Sequence, residues 1–362
     1  MTDRLDPVHR RLAAIRAAGR ERRVVTATPT GPTTARIDGR DVIVACSNDY
    51  LGLAWDPVVR AAATGGGATG SRLISGARPV HRAVEEALED WLGRPALLFG
   101  SGYLANLAVF STVCEQGDVV ASDAANHASI IDGLRLSPAT RRVVPHADPS
   151  AIPADARLIA VEGLYSMDGD LAPLAAYPRG PWLAVDEAHA IGCLGPGGRG
   201  VAAAAGVVPD LTIGTFGKAF GGSGAFVCGS RAWIELLVNA GRSFVFTTAP
   251  PEPVAAMALA ALRRATDELR QRLAANVVRF RRSLRELGWT PLGDAHIVPI
   301  VTGPSAMALA ARLRDRGVFA PGIRWPTVPA GRERIRFTVS AVHTDDQLDA
   351  ICDALGPRSD PR

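Results

Sequence analysis

The sequence predicts an α/β fold, with a large domain built on a mostly parallel β-sheet between helices and a smaller α+β domain after it. Through the middle of the chain, short apolar segments of strand length alternate with helical segments, a pattern typical of parallel sheets covered on both faces. The chain has 362 residues and 47% hydrophobic residues. A chain of that length usually forms two domains, and its apolar content is sufficient for a sizeable core.

The first 40 residues are predicted to form an N-terminal helical arm. Residues 6–23 place apolar side chains on one helical face and arginines on the other. Residues 35–45 alternate apolar and polar side chains around Asp38-Gly39, which indicates a β-hairpin. Residues 47–53 follow, and their polar composition indicates a loop with a functional role.

The large domain is predicted to span residues 41–268, with an amphipathic helix at 80–92. Its strands are predicted at residues 96–99, 119–122, 157–161, 182–185, 211–215 and 225–228. A long helical region ending near residue 287 leads into the small domain, residues 269–362. There we expect strands near 296–301 and 334–339 and helices near 305–316 and 344–355.

Composition argues against several functional classes. The net charge is only +4, and the basic residues are scattered, so nucleic-acid binding is not expected. No apolar run reaches 18 residues, and no apolar segment follows the basic N-terminus, so neither a membrane span nor a signal peptide is expected. The five cysteines are widely spaced and form no metal-binding pairs, which favours a reducing, cytoplasmic setting without a metal.

Lys218 is the only lysine in the chain, although Lys and Arg together number 40. Arginine serves wherever positive charge alone is needed, but a guanidinium does not lose its proton, whereas a lysine can become a neutral nucleophile. A lysine left by compositional drift would be expected on a solvated helix. Lys218 instead lies in a glycine-rich segment directly after a predicted strand, which favours a chemical role.

Polar residues follow other predicted strands, where parallel sheets collect ligands. Ser101-Gly102-Tyr103 begins a helical stretch and could bind an anion such as phosphate, although a plain turn uses the same residues. His127 follows a strand, and at such a position a capping or core histidine is somewhat more common than a functional one. Asp186 ends a strand three positions before His189. A zinc site is disfavoured because neither HExxH nor a cysteine cluster is present.

A pyridine ring explains this pattern better than a metal. An aspartate beside a pyridine nitrogen keeps it protonated, which makes the ring an electron sink, and a nearby histidine can bind a ring hydroxyl. Lys218, Asp186 and an anion site at Gly102 are the parts that pyridoxal 5′-phosphate (PLP) requires.

The chain resembles the α-oxoamine synthase family of fold-type I PLP enzymes nearly from end to end. The matching motifs are residues 47–53, 161–174, 186–192, 215–224 and 326–331. This resemblance implies the fold of a PLP-dependent transferase and a homodimer with active sites at its interface.

The resemblance also assigns cofactor contacts. Lys218 is expected to hold PLP covalently and then to move protons, and Asp186 to pair with the ring nitrogen. His127 is expected to stack on the ring and His189 to bond its phenolic oxygen. The turn at Ser101, with the backbone N–H groups of Gly102 and Tyr103 and with Thr215, is expected to bind the phosphate, and Ser166 to approach the cofactor.

Substrate contacts follow from the same motifs. Asn48 and Arg336 match positions that hold the carboxylate of the amino acid, with His127 also on the substrate side. Arg22 and Thr327 match positions for the acyl substrate, although the short match at Arg22 could shift to Arg20 or Arg23.

The implied reaction is the decarboxylative condensation of L-alanine with a pimeloyl thioester, carried by coenzyme A or an acyl carrier protein. Residues 324–329 and 340–344 favour these substrates. Reactions of the 2-amino-3-ketobutyrate ligase, 5-aminolevulinate synthase or serine palmitoyltransferase type stay open, as does a noncatalytic subunit of the same fold.

Overall fold

The computed structural model describes residues 4–358. Its helices are α1 (Asp6–Ala17), α2 (Pro57–Ala61), α3 (Pro79–Leu92), α4 (Gly102–Thr112), α5 (Ala128–Leu136), α6 (Gly200–Ala204), α7 (Arg231–Ala240), α8 (Arg242–Val245), α9 (Glu252–Arg264), α10 (Asp267–Glu286), α11 (Ala306–Asp315) and α12 (Asp345–Leu355). Its strands are β1 (Ala27–Gly31), β2 (Thr34–Ile37), β3 (Arg40–Val44), β4 (Ala96–Phe99), β5 (Val119–Asp123), β6 (Thr140–Val144), β7 (Ala156–Glu162), β8 (Trp182–Asp186), β9 (Leu211–Thr215), β10 (Ala225–Gly229), β11 (Ile297–Val301), β12 (Val318–Phe319), β13 (Gly322–Ile323) and β14 (Arg334–Thr338).

The central sheet of the described chain has seven strands in the order β4-β10-β9-β8-β7-β5-β6. Strand β10 runs antiparallel to both its neighbours, and the remaining ladders are parallel. The predicted mostly parallel sheet is therefore confirmed. Strand β6 was not predicted because it is a polar edge strand, with its first four residues exposed.

Both faces of this sheet are covered, as the apolar strands predict. In β4, Leu97 and Phe99 belong to the cluster that includes Val109 of α4, whereas Leu98 belongs to the opposite cluster with Leu88 of α3. Alternate residues of a strand point to opposite faces, so a run such as β4 is buried throughout.

Two smaller sheets are formed by strands from the N-terminal and C-terminal parts of the described chain. Strand β3 pairs with β2 in the predicted hairpin and, in parallel, with β12, which is distant in sequence. Asp38 and Gly39 both have positive φ, 50° and 77°, as a tight hairpin turn requires. The third sheet has the order β11-β14-β13. The division into arm, large domain and small domain stays a prediction.

Two helices differ from their predicted bounds. Helix α1 ends at Ala17, well before residue 23. The long helical region is divided into α9 and α10, because Ala265 leaves the helical conformation and the hydroxyl of Thr266 accepts a hydrogen bond from the Leu269 N–H at 3.4 Å. Across residues 4–358, no helix combines the length and apolar character needed to cross a bilayer.

Candidate active site

The candidate site lies at one edge of the central sheet, where strands that run in the same direction end. Each strand is followed within a few positions by a residue singled out in the sequence. These strand–residue pairs are β4 with Ser101, β5 with His127, β7 with Ser166, β8 with His189 and β9 with Lys218. Parallel strands present their carboxyl ends at the same edge, so the topology brings these segments together.

Asp186 is the last residue of β8, and it is 5% exposed. Its Oδ2 accepts a hydrogen bond from Nδ2 of Asn106 at 2.7 Å, and its Oδ1 accepts one from the Ala188 N–H at 2.9 Å. Nδ2 of Asn106 also donates to the Ser129 hydroxyl at 2.8 Å. Asn106 lies on α4 and is 1% exposed, so it fixes the carboxylate without exposing it to water.

Glu162 ends β7 directly beside Asp186, and no role was predicted for it from sequence patterns. Its Oε1 accepts a hydrogen bond from the His127 N–H at 2.5 Å. Burial raises the pKa of Glu162 well above its usual value; Asp186 adds to this effect and Lys218 opposes it. Its position could have identified Glu162, because it is the last residue of a buried strand, just as Asp186 is the last residue of the neighbouring strand.

Lys218 lies in the loop between β9 and β10. Burial lowers the pKa of its amine to about 8, although the carboxylates of Asp186 and Glu162 favour the charged form. A side chain at Gly221 would place its Cβ 2.1 Å from the Ala54 nitrogen, and this glycine has φ of 63°. The close contact holds the lysine loop against the chain that follows residues 47–53.

The start of α4 has the features of a site for an anion. Ser101 caps the helix, and its hydroxyl accepts the Leu104 N–H at 3.3 Å. Among residues 4–358, the N–H groups of Gly102 and Tyr103 have no hydrogen-bond partner. Thr215 lies close by, because a Cβ on Gly102 would be 3.9 Å from the Thr215 Cβ. The Thr215 hydroxyl already donates to the Gly224 carbonyl at 2.9 Å.

His127 caps α5 and is solvent-exposed. Its Nδ1 lies 2.7 Å from the Ser129 hydroxyl, which orients the ring. The Tyr103 ring approaches it edge-on, with centroids 6.4 Å apart, and the Tyr103 hydroxyl donates to Asp132. One face of the imidazole is therefore available to a flat ligand.

His189 is buried, 6% exposed, and its Nδ1 lies 2.7 Å from the hydroxyl of Tyr50. The same hydroxyl lies 2.9 Å from Oδ1 of Asn48. Burial lowers the pKa of His189 well below its usual value, and the positive charges of Lys218 and Arg336 add to this effect. The ring is therefore neutral at physiological pH.

Arg336 reaches the site from β14, in the C-terminal part of the chain. It is 7% exposed, and its Nε donates to the Ser166 carbonyl at 2.5 Å. Arg334, two residues earlier, donates to Asp168 at 2.7 Å and to the Met167 carbonyl at 2.9 Å. These contacts fix the 166–168 turn to β14.

Arg22 and Thr327 line a different cavity, of about 510 Å³, whose walls include Arg20, Arg324 and Trp325. None of the residues described above belongs to its lining. The Arg20 guanidinium lies 4.9 Å from the Trp325 ring centroid, and Arg324 donates to the Glu21 carbonyl at 2.8 Å. The structure thus places the two residues predicted for the acyl substrate together, in a cavity that is not lined by Lys218, Asp186 or Arg336.

Comparison with known proteins identifies the family of this chain. The family model described as aminotransferase class I and II matches residues 40–355. The 8-amino-7-oxononanoate synthase of Halorhodospira halophila is 44% identical over 352 residues, which cover 90% of this chain and 88% of that protein.

Solved structures share the fold. A serine palmitoyltransferase from S. paucimobilis, solved with a bound PLP–myriocin aldimine, aligns with a TM-score of 0.90 and 31% identity over 97% of this chain and 96% of that one. An 8-amino-7-oxononanoate synthase from Francisella tularensis aligns with a TM-score of 0.75 and 28% identity over 87% and 96%. These likenesses confirm the fold-type I class. The chain therefore belongs to the class I and II aminotransferases and, among them, to the 8-amino-7-oxononanoate synthase family.

Proposed function

We propose that this protein binds PLP and condenses L-alanine with a pimeloyl thioester, releasing carbon dioxide, the free thiol carrier and 8-amino-7-oxononanoate. The observation that carries the proposal is the placement of the only lysine of the chain, with a pKa lowered to about 8, near the buried Asp186. An amine in that environment is partly neutral at physiological pH and can attack a carbonyl carbon.

The groups at the sheet edge fit PLP. The fit rests on the two unpaired N–H groups of Gly102 and Tyr103, which suit a phosphate at a helix start, and on the buried carboxylate of Asp186, which suits a protonated pyridine nitrogen. Ser101 and Thr215 would complete the phosphate site, and we expect Thr215 to exchange its contact with Gly224 for that role.

When bound, PLP supplies an electron-withdrawing ring that stabilises negative charge at the α-carbon of the amino acid. The Lys218 amine would hold the cofactor and, once displaced by L-alanine, accept the α-proton. Asp186 would keep the ring nitrogen protonated, with its position fixed by Asn106. His127 would cover one face of the ring, and His189 would bind its phenolic oxygen.

The remaining residues would position substrates. Arg336 and Asn48 would bind the carboxylate of L-alanine, since a guanidinium forms paired hydrogen bonds with a planar anion. Ser166 would lie beside the cofactor, because its carbonyl already anchors Arg336. Arg22 and Thr327 would bind the acyl substrate in their cavity of about 510 Å³, which suits the free carboxylate that a pimeloyl thioester retains.

A serine palmitoyltransferase reaction is the second candidate, favoured by the TM-score of 0.90 with such an enzyme. The 44% identity to an 8-amino-7-oxononanoate synthase, against 31% to that enzyme, supports the first candidate.

We also propose the homodimer and the three predicted domains. Light scattering of the purified protein tests the dimer. The cytoplasmic setting stays a prediction.

A screen of amino acids against acyl thioesters, measuring released thiol, tests the reaction. L-alanine with pimeloyl-coenzyme A or pimeloyl-carrier protein should be the preferred pair. Faster turnover of glycine with acetyl- or succinyl-coenzyme A, or of L-serine with palmitoyl-coenzyme A, would assign another reaction of the family.

Lys218→Ala tests the cofactor separately. The purified wild type should show the visible absorbance of bound PLP, and the variant should lack it. Lys218→Arg is the matched control, because it keeps the positive charge without a neutral amine, and it should fail in the same way. A colourless, unreactive wild type after incubation with PLP would support a noncatalytic subunit instead.

A further inference from the structure

Tyr50 connects two parts of the site that the proposed function treats separately. It is fully buried, with 0% exposure, between Asn48 and His189. Its hydroxyl oxygen lies 2.9 Å from Asn48 Oδ1 and 2.7 Å from His189 Nδ1. The His296 ring packs against the Tyr50 ring with centroids 4.0 Å apart, so the phenol has little room to move.

The phenol has one proton, which limits how these contacts can be made. Burial raises the pKa of Tyr50 above its usual value, so the proton stays on the oxygen. With Asn48 Oδ1 facing the phenol, Tyr50 must donate to that oxygen, because two acceptors would otherwise face each other. The phenol oxygen can then only accept from its other neighbours, so the Nδ1 of His189 at 2.7 Å must carry a proton. The Arg336 side chain, which also hydrogen-bonds the phenol, is a second donor.

This arrangement determines what His189 presents to the site. The ring is neutral and has a single N–H, so a proton on Nδ1 leaves Nε2 as an acceptor. In the alternative arrangement Tyr50 donates to Nδ1 and His189 presents an Nε2–H donor. The Asn48 amide would then have to turn over, so that its NH₂ group faces Tyr50 and its oxygen faces the site.

The direction of these hydrogen bonds also determines whether Asn48 can bind a carboxylate. In the observed orientation its Oδ1 is occupied by Tyr50, and its NH₂ group is left for an anion. In the alternative orientation the amide oxygen would face the anion, which is unfavourable. Carboxylate binding at Asn48 and the Nδ1–H tautomer of His189 therefore favour each other, as linked equilibria must.

We propose that Tyr50 is a positioning residue that couples binding of the amino-acid carboxylate at Asn48 to the tautomer of His189. The inference rests on the proposed function for the identity of the anion and of the group that His189 faces. The coupling itself follows from the hydrogen bonds of Asn48, Tyr50 and His189.

A ¹⁵N spectrum of the PLP-loaded protein with labelled histidine tests the tautomer directly. The chain has seven histidines, and His189→Gln identifies the signal of interest. His189 should carry its proton on Nδ1 in the wild type and should shift toward the Nε2–H form in Tyr50→Phe. An Nε2–H form in the wild type would overturn the proposal, and this measurement does not depend on turnover.

Affinity for L-alanine, followed by the visible absorbance of bound PLP, tests the coupling. Tyr50→Phe should weaken L-alanine binding about tenfold, the effect of one lost hydrogen bond near a charge. Tyr50→Phe added to Asn48→Ala should weaken it no further. Tyr177→Phe, which also removes a buried phenol, is the control and should leave affinity unchanged.

The outcomes separate this proposal from the proposed function. A wild type that binds PLP and L-alanine, together with a Tyr50→Phe variant of equal affinity and tautomer, would overturn only the coupling. Additive losses in the double variant would also overturn it, because Tyr50 would then act independently of Asn48. A wild type that binds no PLP would instead count against the proposed function.

Discussion

Glu162 and Asp186 lie directly opposite each other on the neighbouring parallel strands β7 and β8. Both are almost completely buried, at 3% and 5% exposure. Two carboxyl groups this close in a dry environment do not both ionise readily, and Glu162 is the one whose pKa is raised well above its usual value. Burial and the neighbouring Asp186 therefore both favour the protonated, neutral form of Glu162, in which it serves the site as a hydrogen-bonding group.

This relationship predicts an asymmetry between two conservative substitutions. Glu162→Gln is a neutral replacement that still accepts the His127 N–H, so kcat/KM for L-alanine at pH 7 should stay within about threefold of the wild type. Asp186→Asn removes the charge that the proposed pyridine nitrogen needs, so kcat/KM should fall by roughly 10²–10³.

Steady-state thiol release measures both effects. Asp210→Asn is the matched control, because Asp210 accepts the Leu183 N–H at the other end of β8 and should be nearly silent in catalysis. Equal losses in Glu162→Gln and Asp186→Asn would show that Glu162 acts as an anion.

A second prediction concerns the reactivity of Lys218. Its pKa is lowered to about 8, and only the neutral amine attacks the aldehyde of PLP. The rate of PLP uptake by cofactor-free protein should therefore rise with pH up to about 8 and level off above it. An ordinary lysine, with a pKa of about 10.4, would still gain reactivity beyond pH 10.

Stopped-flow absorbance measures this rate, and uptake of PLP by an acetylated lysine amide corrects for titration of PLP itself. A midpoint near pH 10 would show that the Lys218 amine is not perturbed.

Sequence patterns predicted six of the seven strands of the central sheet, because strands that are buried on both faces consist mainly of apolar residues. Edge strand β6 escaped prediction because Arg141 and Arg142 make it polar. The break between α9 and α10 was not predicted, because the sequence has a helical pattern both before and after it. Only the capping hydrogen bond of Thr266 marks the break.

The residues proposed for the cofactor site were also recognisable in the sequence, because each ends a strand or follows one closely. Glu162 and Tyr50 were not assigned roles because their significance depends on neighbours distant in sequence. Glu162 matters through its register with Asp186, and Tyr50 through its contact with His189, 139 positions away. Such pairings arise from tertiary packing, and no local pattern encodes them.

A third prediction addresses the carboxylate of L-alanine. Arg336→Lys keeps a positive charge but loses the planar guanidinium group. A single ammonium group cannot bind the Ser166 carbonyl and also form two parallel hydrogen bonds with a carboxylate. KM for L-alanine should rise about tenfold or more, with a smaller change in kcat. Arg281→Lys is a matched control, since Arg281 is also 7% exposed and bound to backbone carbonyls. Unchanged KM in Arg336→Lys would remove Arg336 from the substrate site.

A fourth prediction concerns the acyl substrate. Arg22 has no ion pair within the described chain, whereas Arg20 stacks on Trp325 and Arg23 pairs with Glu21 at 3.4 Å. Arg22→Gln should raise KM for the pimeloyl thioester about tenfold and leave KM for L-alanine unchanged. Arg20→Gln and Arg23→Gln are the comparisons, and a larger effect from either would reassign the contact.

The last prediction concerns the stability of the turn behind the site. His146 bridges two carboxylates, with Nδ1 2.9 Å from Asp123 and Nε2 2.8 Å from Asp170. These hydrogen bonds raise the pKa of His146 to about 10. Since an unfolded histidine titrates near 6.5, the stabilisation is complete below pH 6.5 and is lost as pH rises through about 10.

His146→Gln should therefore lower the free energy of unfolding by about 1–3 kcal/mol at pH 6.5, a range that reflects a side chain still 32% exposed. The difference from the wild type should shrink as the pH approaches 10, because the wild-type imidazole then loses its charge. Urea unfolding at several pH values measures it, with Arg141→Gln on the exposed edge strand as control. A cost that stays constant between pH 6.5 and 10 would mean that His146 acts through packing, because only a charged imidazolium couples its contribution to the proton concentration.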